Sequence, residues 1–305
     1  MKALVTGGAG FIGSNLVDLL LERGFDVVAL DDLSLGVPEN VSKGAELVDG
    51  SVTDLELLTK ISSGVDVVFH LAAKSSAPMI EDDPIRGEEV NVGGFLKVLH
   101  AARENGVRRV VYASTSSMYS AVKPPHREDV IVVPRTFYEQ NFFSREQLAR
   151  IYSDTFGLET VGMRFFSVYG PKERHKGRYA NLVSQFIWAM MRGERPIIYG
   201  DGTQTRDFVY VHDVCRALYL AGTVEGVSGE IFNVCTGRNT SLNELVTIIS
   251  KTLGVDIKPR YVENPIKRYV HHTLGDPTKA REILGFQAEV DLATGVRMLV
   301  DQMKG

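Results

Sequence analysis

The stretch Val5-Thr6-Gly7-Gly8-Ala9-Gly10-Phe11-Ile12-Gly13 restricts the possible folds more than any other part of the chain. It joins the apolar run KALVT, which reads as a strand, to LVDLLLERG, which reads as a helix. Gly7, Gly10 and Gly13 stand at G-x-x-G-x-x-G spacing. Such spacing lets a tight turn bring backbone N–H groups and a helix N-terminus up to a pyrophosphate. Glycine clusters alone are usually just turns, so context decides. The next apolar run, DVVAL, ends at Asp31, eighteen residues past Gly13, near the spacing at which a carboxylate meets the ribose hydroxyls of an adenine dinucleotide. Asp32 follows, and two acids with no nearby arginine repel a 2′-phosphate. The expected cofactor is therefore NAD rather than NADP.

Further along, ELV, DVVFHL, RRVVYAS and ETVGMR read as strands, and DLELLTKI, VNVGGFLKVLHAARENG and REQLARIYSDTFG as helices, several ending at glycine. Six strands with crossover helices predict a doubly wound parallel α/β sheet. The second half is less regular. PKERHKGRYAN reads as a loop and ANLVSQFIWAMMRG as a helix. Ser241 to Glu244 has capping-box spacing, and Asp276-Pro277 places a cap and first-turn proline before TKAREILG. The expected organisation is a cofactor domain over 1–165, to which 205–235 return, and a smaller α/β C-terminal substrate lobe over 166–305. Without a long linker the lobes pack together, and the cleft between them is the natural ligand site.

The formal net charge of −4 leaves no electrostatic footprint for nucleic acid. The N-terminus has neither a membrane span nor a signal peptide's cleavage region, so a cytoplasmic protein is expected. Cys215 and Cys235 lack C-x-x-C spacing and read as reduced packing residues. His271-His272 has no matching acid or cysteine ligands, so no metal is expected.

With TGGAGFIG in place, other segments fall into the order of one known family. VFHLAA (68–73), NVGGFLKVLHAAR (91–103), YASTSSMY (112–119), RFFSVYGP (164–171), GDGTQTRDFVYVHDV (200–214) and FNVCTG (232–237) follow one another over nearly the whole chain. The sequence resembles the extended short-chain dehydrogenase/reductases, closest to the UDP-glucose 4-epimerase group. The resemblance implies a Rossmann domain holding NAD, a C-terminal lobe holding a nucleoside-diphosphate sugar such as a UDP-sugar, and a homodimer built from helices around 92–105 and 138–155. In such epimerases a tyrosine takes the proton of the sugar 4-OH while hydride passes to NAD⁺, and both return after the 4-keto sugar has turned over. Carried over by position, Tyr138 is the base and Thr115 the hydroxyl that positions the sugar oxygen. Gly7, Gly10, Phe11, Ile12, Gly13 and Asp31 hold NAD, with Leu71, Ala72, Ala73 and Asn91 along its path. Ser51, beside Val52, replaces an aspartate that usually meets the adenine. Arg206 matches an arginine that grips the diphosphate, and Asn181 an asparagine of the nucleotide site.

The residues after Thr115 bear on the reaction. Dehydratases of the family carry Asp-Glu there, and decarboxylases keep a glutamate. Ser116-Ser117 cannot act as acid and base at neutral pH, which leaves epimerisation, unless these serines merely satisfy strand-end backbone groups. Two further substrate contacts differ. Ser167 replaces an asparagine, and the C-terminal R-x-G-D segment aligns with Ile266-Lys267-Arg268-Tyr269, where Arg268 and His271 remain to meet phosphates.

The largest departure follows Tyr138. The family places lysine one turn later, where it binds the nicotinamide ribose and lowers the phenol's pKa, whereas this chain has Phe142. The unbroken spacing from Tyr138 to Arg164 fixes the register. Tyr119 and Lys123 form another Y-x-x-x-K, but two prolines follow it and the tyrosine sits at a strand end. A free phenol of pKa near 10 is ionised in about one molecule in a thousand at pH 7, so losing all tuning costs at most about a thousandfold. Lys74 or Arg145 could supply the charge instead. A slow or rewired enzyme and a silent NAD-binding protein both stay open.

Overall fold

The computed structural model describes residues 1–265 and 269–304. The first half runs β1 (Lys2–Thr6), α1 (Phe11–Glu22), β2 (Asp26–Asp31), β3 (Glu46–Asp49), α2 (Leu55–Ile61), β4 (Val67–His70), α3 (Ala77–Asp82), α4 (Pro84–Glu88), α5 (Phe95–Glu104), β5 (Arg109–Thr115), α6 (Phe137–Phe156) and β6 (Glu159–Phe165). The second runs β7 (Ser167–Tyr169), α7 (Leu182–Met191), β8 (Ile197–Tyr199), β9 (Thr205–Arg206), β10 (Phe208–Tyr210), α8 (Val211–Thr223), β11 (Ile231–Val234), β12 (Thr240–Ser241), α9 (Leu242–Leu253), β13 (Arg260–Val262) and α10 (Leu292–Lys304).

Seven parallel strands form the main sheet in the order β11-β6-β5-β4-β1-β2-β3. The order reverses between β1 and β4, which opens a crevice above the C-terminal ends of those strands. Both faces are covered. Leu16, Leu20, Val214 and Leu218 bury one, and Leu58, Phe95, Leu99 and Tyr152 the other. A third core, with Phe186, Ile187, Leu245 and Leu299, holds the C-terminal elements together.

Two features depart from what periodicity alone showed, and each has a physical cause. The seventh strand, β11, is four residues interrupted by Asn233, too short for a periodic signal; pairing Phe232 to Met163 and Val234 to Phe165 makes it a strand. Helix α6 starts at Phe137, in line with the helix around 138–155 that the resemblance implied and a full two turns before the REQLAR run that periodicity marks. Thr136 accepts from the Glu139 amide (3.1 Å), and the Glu139 carboxylate accepts from the Arg135 amide (2.6 Å). The helical period is hidden there because Tyr138 and Phe142 face a cavity while Glu139 and Asn141 are buried. The TKAREILG segment is helical over 278–284 as expected, with a wide turn over Ala280–Leu284 closed by Gly285, and Asp276 accepts from the Thr278 amide (2.9 Å). The capping box of Ser241 and Glu244 is present at the start of α9. No helix among the described residues is long and apolar enough to cross a membrane.

Candidate active site

The glycine turn between β1 and α1 allows two close approaches. Gly7 has φ +72°, and a Cβ there would lie 2.8 Å from the Ala72 amide nitrogen, while one on Gly13 would run into the Gly7 carbonyl. The N-cap of α1, Gly10, has no side chain, so the first-turn amides of Phe11, Ile12 and Gly13 face the cavity without a side-chain acceptor. Asp31 closes the other end. Its buried carboxylate accepts from the amides of Ala9 (3.0 Å) and Leu33 (2.9 Å). Desolvation pushes its pKa up, and those backbone hydrogen bonds pull it back. Open helix amides for a pyrophosphate and a rigid carboxylate for ribose hydroxyls are the donor set NAD requires. Replacing Asp31 with Ser should therefore raise affinity for NADP relative to NAD by at least about tenfold, some 1.4 kcal/mol, measured by calorimetric titration of both cofactors.

A cavity of about 360 Å³ runs from Asp31 and Asp32 past these glycines and Val52, Leu71, Ala72 and Ala73 to Thr115, Ser116, Tyr138, Ser167 and Asn181. Thr115 ends β5 and accepts from the Ser117 amide (3.1 Å), which caps the turn after the strand. Its side chain also hydrogen-bonds the phenol of Tyr138. The pair meets because a buried network locks α6 onto the sheet. Glu146 on α6 accepts from Ser114 Oγ on β5 (2.6 Å) and from Arg164 Nε and Nη2 on β6 (2.9 and 2.8 Å). Arg164 Nη1 donates to Tyr119 Oη (2.7 Å), which donates to Asn233 Oδ1 on β11 (2.8 Å). Burial pushes the Tyr119 phenol up to about 12, so Tyr119 is a strut rather than a base.

Burial also raises the pKa of Tyr138, opposed by the Thr115 hydrogen bond and by the charge of Arg145. Phe142 is buried one turn later, its ring 4.8 Å from that of Tyr138. Behind it lies the Arg145 guanidinium, 4.7 Å from the Phe142 ring centroid. Nε donates to the Asn91 carbonyl (2.6 Å) and Nη2 to the Ala72 carbonyl (3.0 Å). Desolvation lowers this group to about 9, which leaves it a cation at neutral pH. Lys74 points elsewhere: it lines the ribose end, with Nζ 3.4 Å from Ser34 Oγ.

Several expected site residues lie off the cavity wall. Ser51 bonds Thr53 Oγ1 (2.9 Å) instead of entering the space that its neighbours Gly50 and Val52 line. Asn91 is fully buried and clamps the backbone of Lys74, accepting from its amide (2.8 Å) and donating to its carbonyl (3.2 Å). Arg206 and His271 sit together away from the wall. Arg206 Nη1 donates to the His271 carbonyl (3.1 Å), and its guanidinium lies 5.1 Å from the Tyr269 ring. Arg268 falls outside the described residues. Asn181 lines the cavity while its side chain caps α7 through the Val183 amide (3.0 Å). Conversely, His175, Lys176 and Tyr179 reach the wall from the segment read as a plain loop, and Lys176 Nζ stands 5.3 Å from the Phe11 ring. The one available signal was a basic run, KERHKGR, in a chain of net negative charge.

Known proteins share this arrangement. The model of the NAD dependent epimerase/dehydratase family matches residues 3–235. The UDP-glucose 4-epimerase of Mycolicibacterium smegmatis is 38% identical over 309 residues, which cover 99% of this chain and 98% of that protein. A UDP-N-acetyl-alpha-D-glucosaminuronate decarboxylase of Bacillus cytotoxicus is 31% identical over 312 residues, 97% of this chain and 95% of that one. The crystal structure of UDP-glucose 4-epimerase with UDP-glucose from Thermotoga maritima superposes with a TM-score of 0.95 at 37% identity, covering 100% of this chain and 99% of that one. The chain therefore belongs to the NAD dependent epimerase/dehydratase family, a group of extended short-chain dehydrogenase/reductase enzymes.

Proposed function

We propose that this protein is an NAD-dependent nucleotide-sugar 4-epimerase, with UDP-glucose and UDP-galactose as the leading substrate pair. The make-up of the cavity around Tyr138 carries this reading. Among the described lining residues the carboxylates are Asp31 and Asp32, both at the ribose end, and Ser116 and Ser117 follow Thr115. Inverting a secondary alcohol takes one proton transfer and one hydride transfer, so a phenol and a hydroxyl suffice. Eliminating water across neighbouring carbons needs a second acid and base, which serines do not provide. Bound NAD supplies the hydride exchange. Tyr138 takes the proton of the 4-hydroxyl and later returns it, and Thr115 orients the same oxygen. Arg206 is the residue we assign to the diphosphate: it is desolvated, and the titratable group that acts on it among the described residues is the Tyr269 phenol rather than a carboxylate.

Phe142 favours a second reading, a silent NAD-binding relative that keeps the fold without the turnover. The two separate when purified protein is incubated with UDP-glucose, UDP-galactose, UDP-glucuronate and their N-acetyl forms, with added NAD⁺, and followed by NMR. Conversion at C4 of any one supports the epimerase; no conversion despite bound NAD supports the silent relative. We also propose a homodimer through α5 and α6, whose Leu96, Ile151 and Phe156 are exposed. Light scattering should give twice the chain mass of 33.7 kDa.

A further inference from the structure

We propose that Arg145 has taken over the electrostatic task of the absent lysine, holding a fixed positive charge behind Phe142 that favours the phenolate of Tyr138. This rests on the reading of Tyr138 as the base. Arg145 follows Tyr138 by two helical turns and Phe142 by less than one, so the three share a face of α6. The two rings and the guanidinium lie in a row, the rings tilted at 54° with 4.8 Å between their centroids and 4.7 Å from the Phe142 centroid to the guanidinium carbon.

Arg145 is unusual for a structural arginine. It is completely buried, yet the titratable groups that act on it are the phenols of Tyr138 and Tyr112 rather than a carboxylate, and among the described residues Nη1 has no hydrogen-bond partner. Its bonds go to two backbone carbonyls, which hold the group in place without neutralising it. An uncompensated buried cation is a standing cost to the fold, and its field is little screened there.

The surrounding titratable groups leave that field unopposed. His70 on β4 is fully buried and stays neutral, its pKa lowered first by desolvation and then by Arg145 itself. Tyr112 on β5 is held protonated by burial. Glu146, the nearest acid along α6, is committed to Arg164 and Ser114. Lys74 reaches the ribose end instead. Arg145 and Tyr138 act on each other in the expected sense, the guanidinium lowering the phenol's pKa and the phenolate raising the guanidinium's. Arg145 is thus a positioning residue, acting through Tyr138 without reaching the cavity wall.

The test compares wild type, Arg145→Lys, Arg145→Met and the double variant Phe142→Lys/Arg145→Met as NAD-loaded proteins. The Tyr138 ionisation is read as the difference in phenolate absorbance between each protein and its Tyr138→Phe counterpart, because the chain has 11 tyrosines. Arg145→Met should raise the midpoint by about one pH unit or more, and lower kcat at neutral pH about tenfold per unit, with KM little changed. Arg145→Lys should titrate near wild type. The double variant returns a cation to the turn after Tyr138, should restore the midpoint, and supplies the decisive comparison where Arg145→Met does not hold its fold. A midpoint unchanged in folded Arg145→Met, or a double variant that titrates far above wild type, overturns the proposal. If no UDP-sugar turns over in the wild type, the epimerase reading fails while the absorbance titration still decides the role of Arg145.

Discussion

Tyr138→Phe is expected to lower kcat by about 10²–10⁴-fold, the usual contribution of a general base. The substitution removes one oxygen and nothing that holds the fold, since that oxygen bonds Thr115 and no strut of the Ser114–Glu146–Arg164 network. Bound NAD and the unfolding midpoint should therefore stay at wild-type values. Steady-state rates on whichever UDP-sugar turns over, alongside NAD content after denaturation, check both halves. A variant retaining full turnover would remove Tyr138 as the base. The wild-type rate should climb as pH rises through neutrality, because the base acts deprotonated and burial sets its pKa above the ordinary 10 of tyrosine.

Glu146→Ala is the substitution with the largest expected effect on stability. Its carboxylate takes three hydrogen bonds from two strands, and Arg164 beside it is 4% exposed. Without it the Arg164 charge stays buried with only the Tyr119 hydroxyl, an arrangement that costs about 3–5 kcal/mol. Denaturant unfolding of apo protein measures this. Exchanging Glu146 and Arg164 together for a leucine and a methionine should recover much of the loss, because the penalty comes from the orphaned charge rather than from the missing pair. Activity should not recover with it. The carboxylate also sets how α6 lies on β5, and hence where the Tyr138 phenol meets Thr115.

The cofactor half was legible because its chemistry is backbone chemistry. Gly7 and Gly13 are compelled by contacts that a Cβ would break, so the spacing carries the geometry directly. Resemblance alone pointed to Tyr138, Thr115 and a helix around 138–155, while periodicity missed the start of α6, since its first two turns bury Glu139 and Asn141 and show Phe137 to solvent. Long-range side-chain work was the least readable. Asn91 looked like a cofactor contact and is a clamp on the Lys74 backbone, while Lys176 looked like loop surface and reaches the cavity. Arg145 lay open as one of two candidate cations. Choosing between them took the carbonyls of Ala72 and Asn91, which no local pattern places beside a helix more than fifty residues away.

The return of the chain to its own sheet has a consequence for biosynthesis. β6 is synthesised well before β11, so until residues 231–234 leave the ribosome the sheet ends in a bare strand of seven residues, including Val161 and Met163. Unpaired apolar edges are templates for aggregation, and contacts between distant segments form slowly. A fragment that stops after β6 would hold every strand of the glycine-turn half and still lack both the edge cover and Asn233, the last anchor of the Tyr119 strut. Unfolding should accordingly be a single event shared by both lobes, and a chain truncated near residue 165 should be recovered from inclusion bodies rather than as a free cofactor domain.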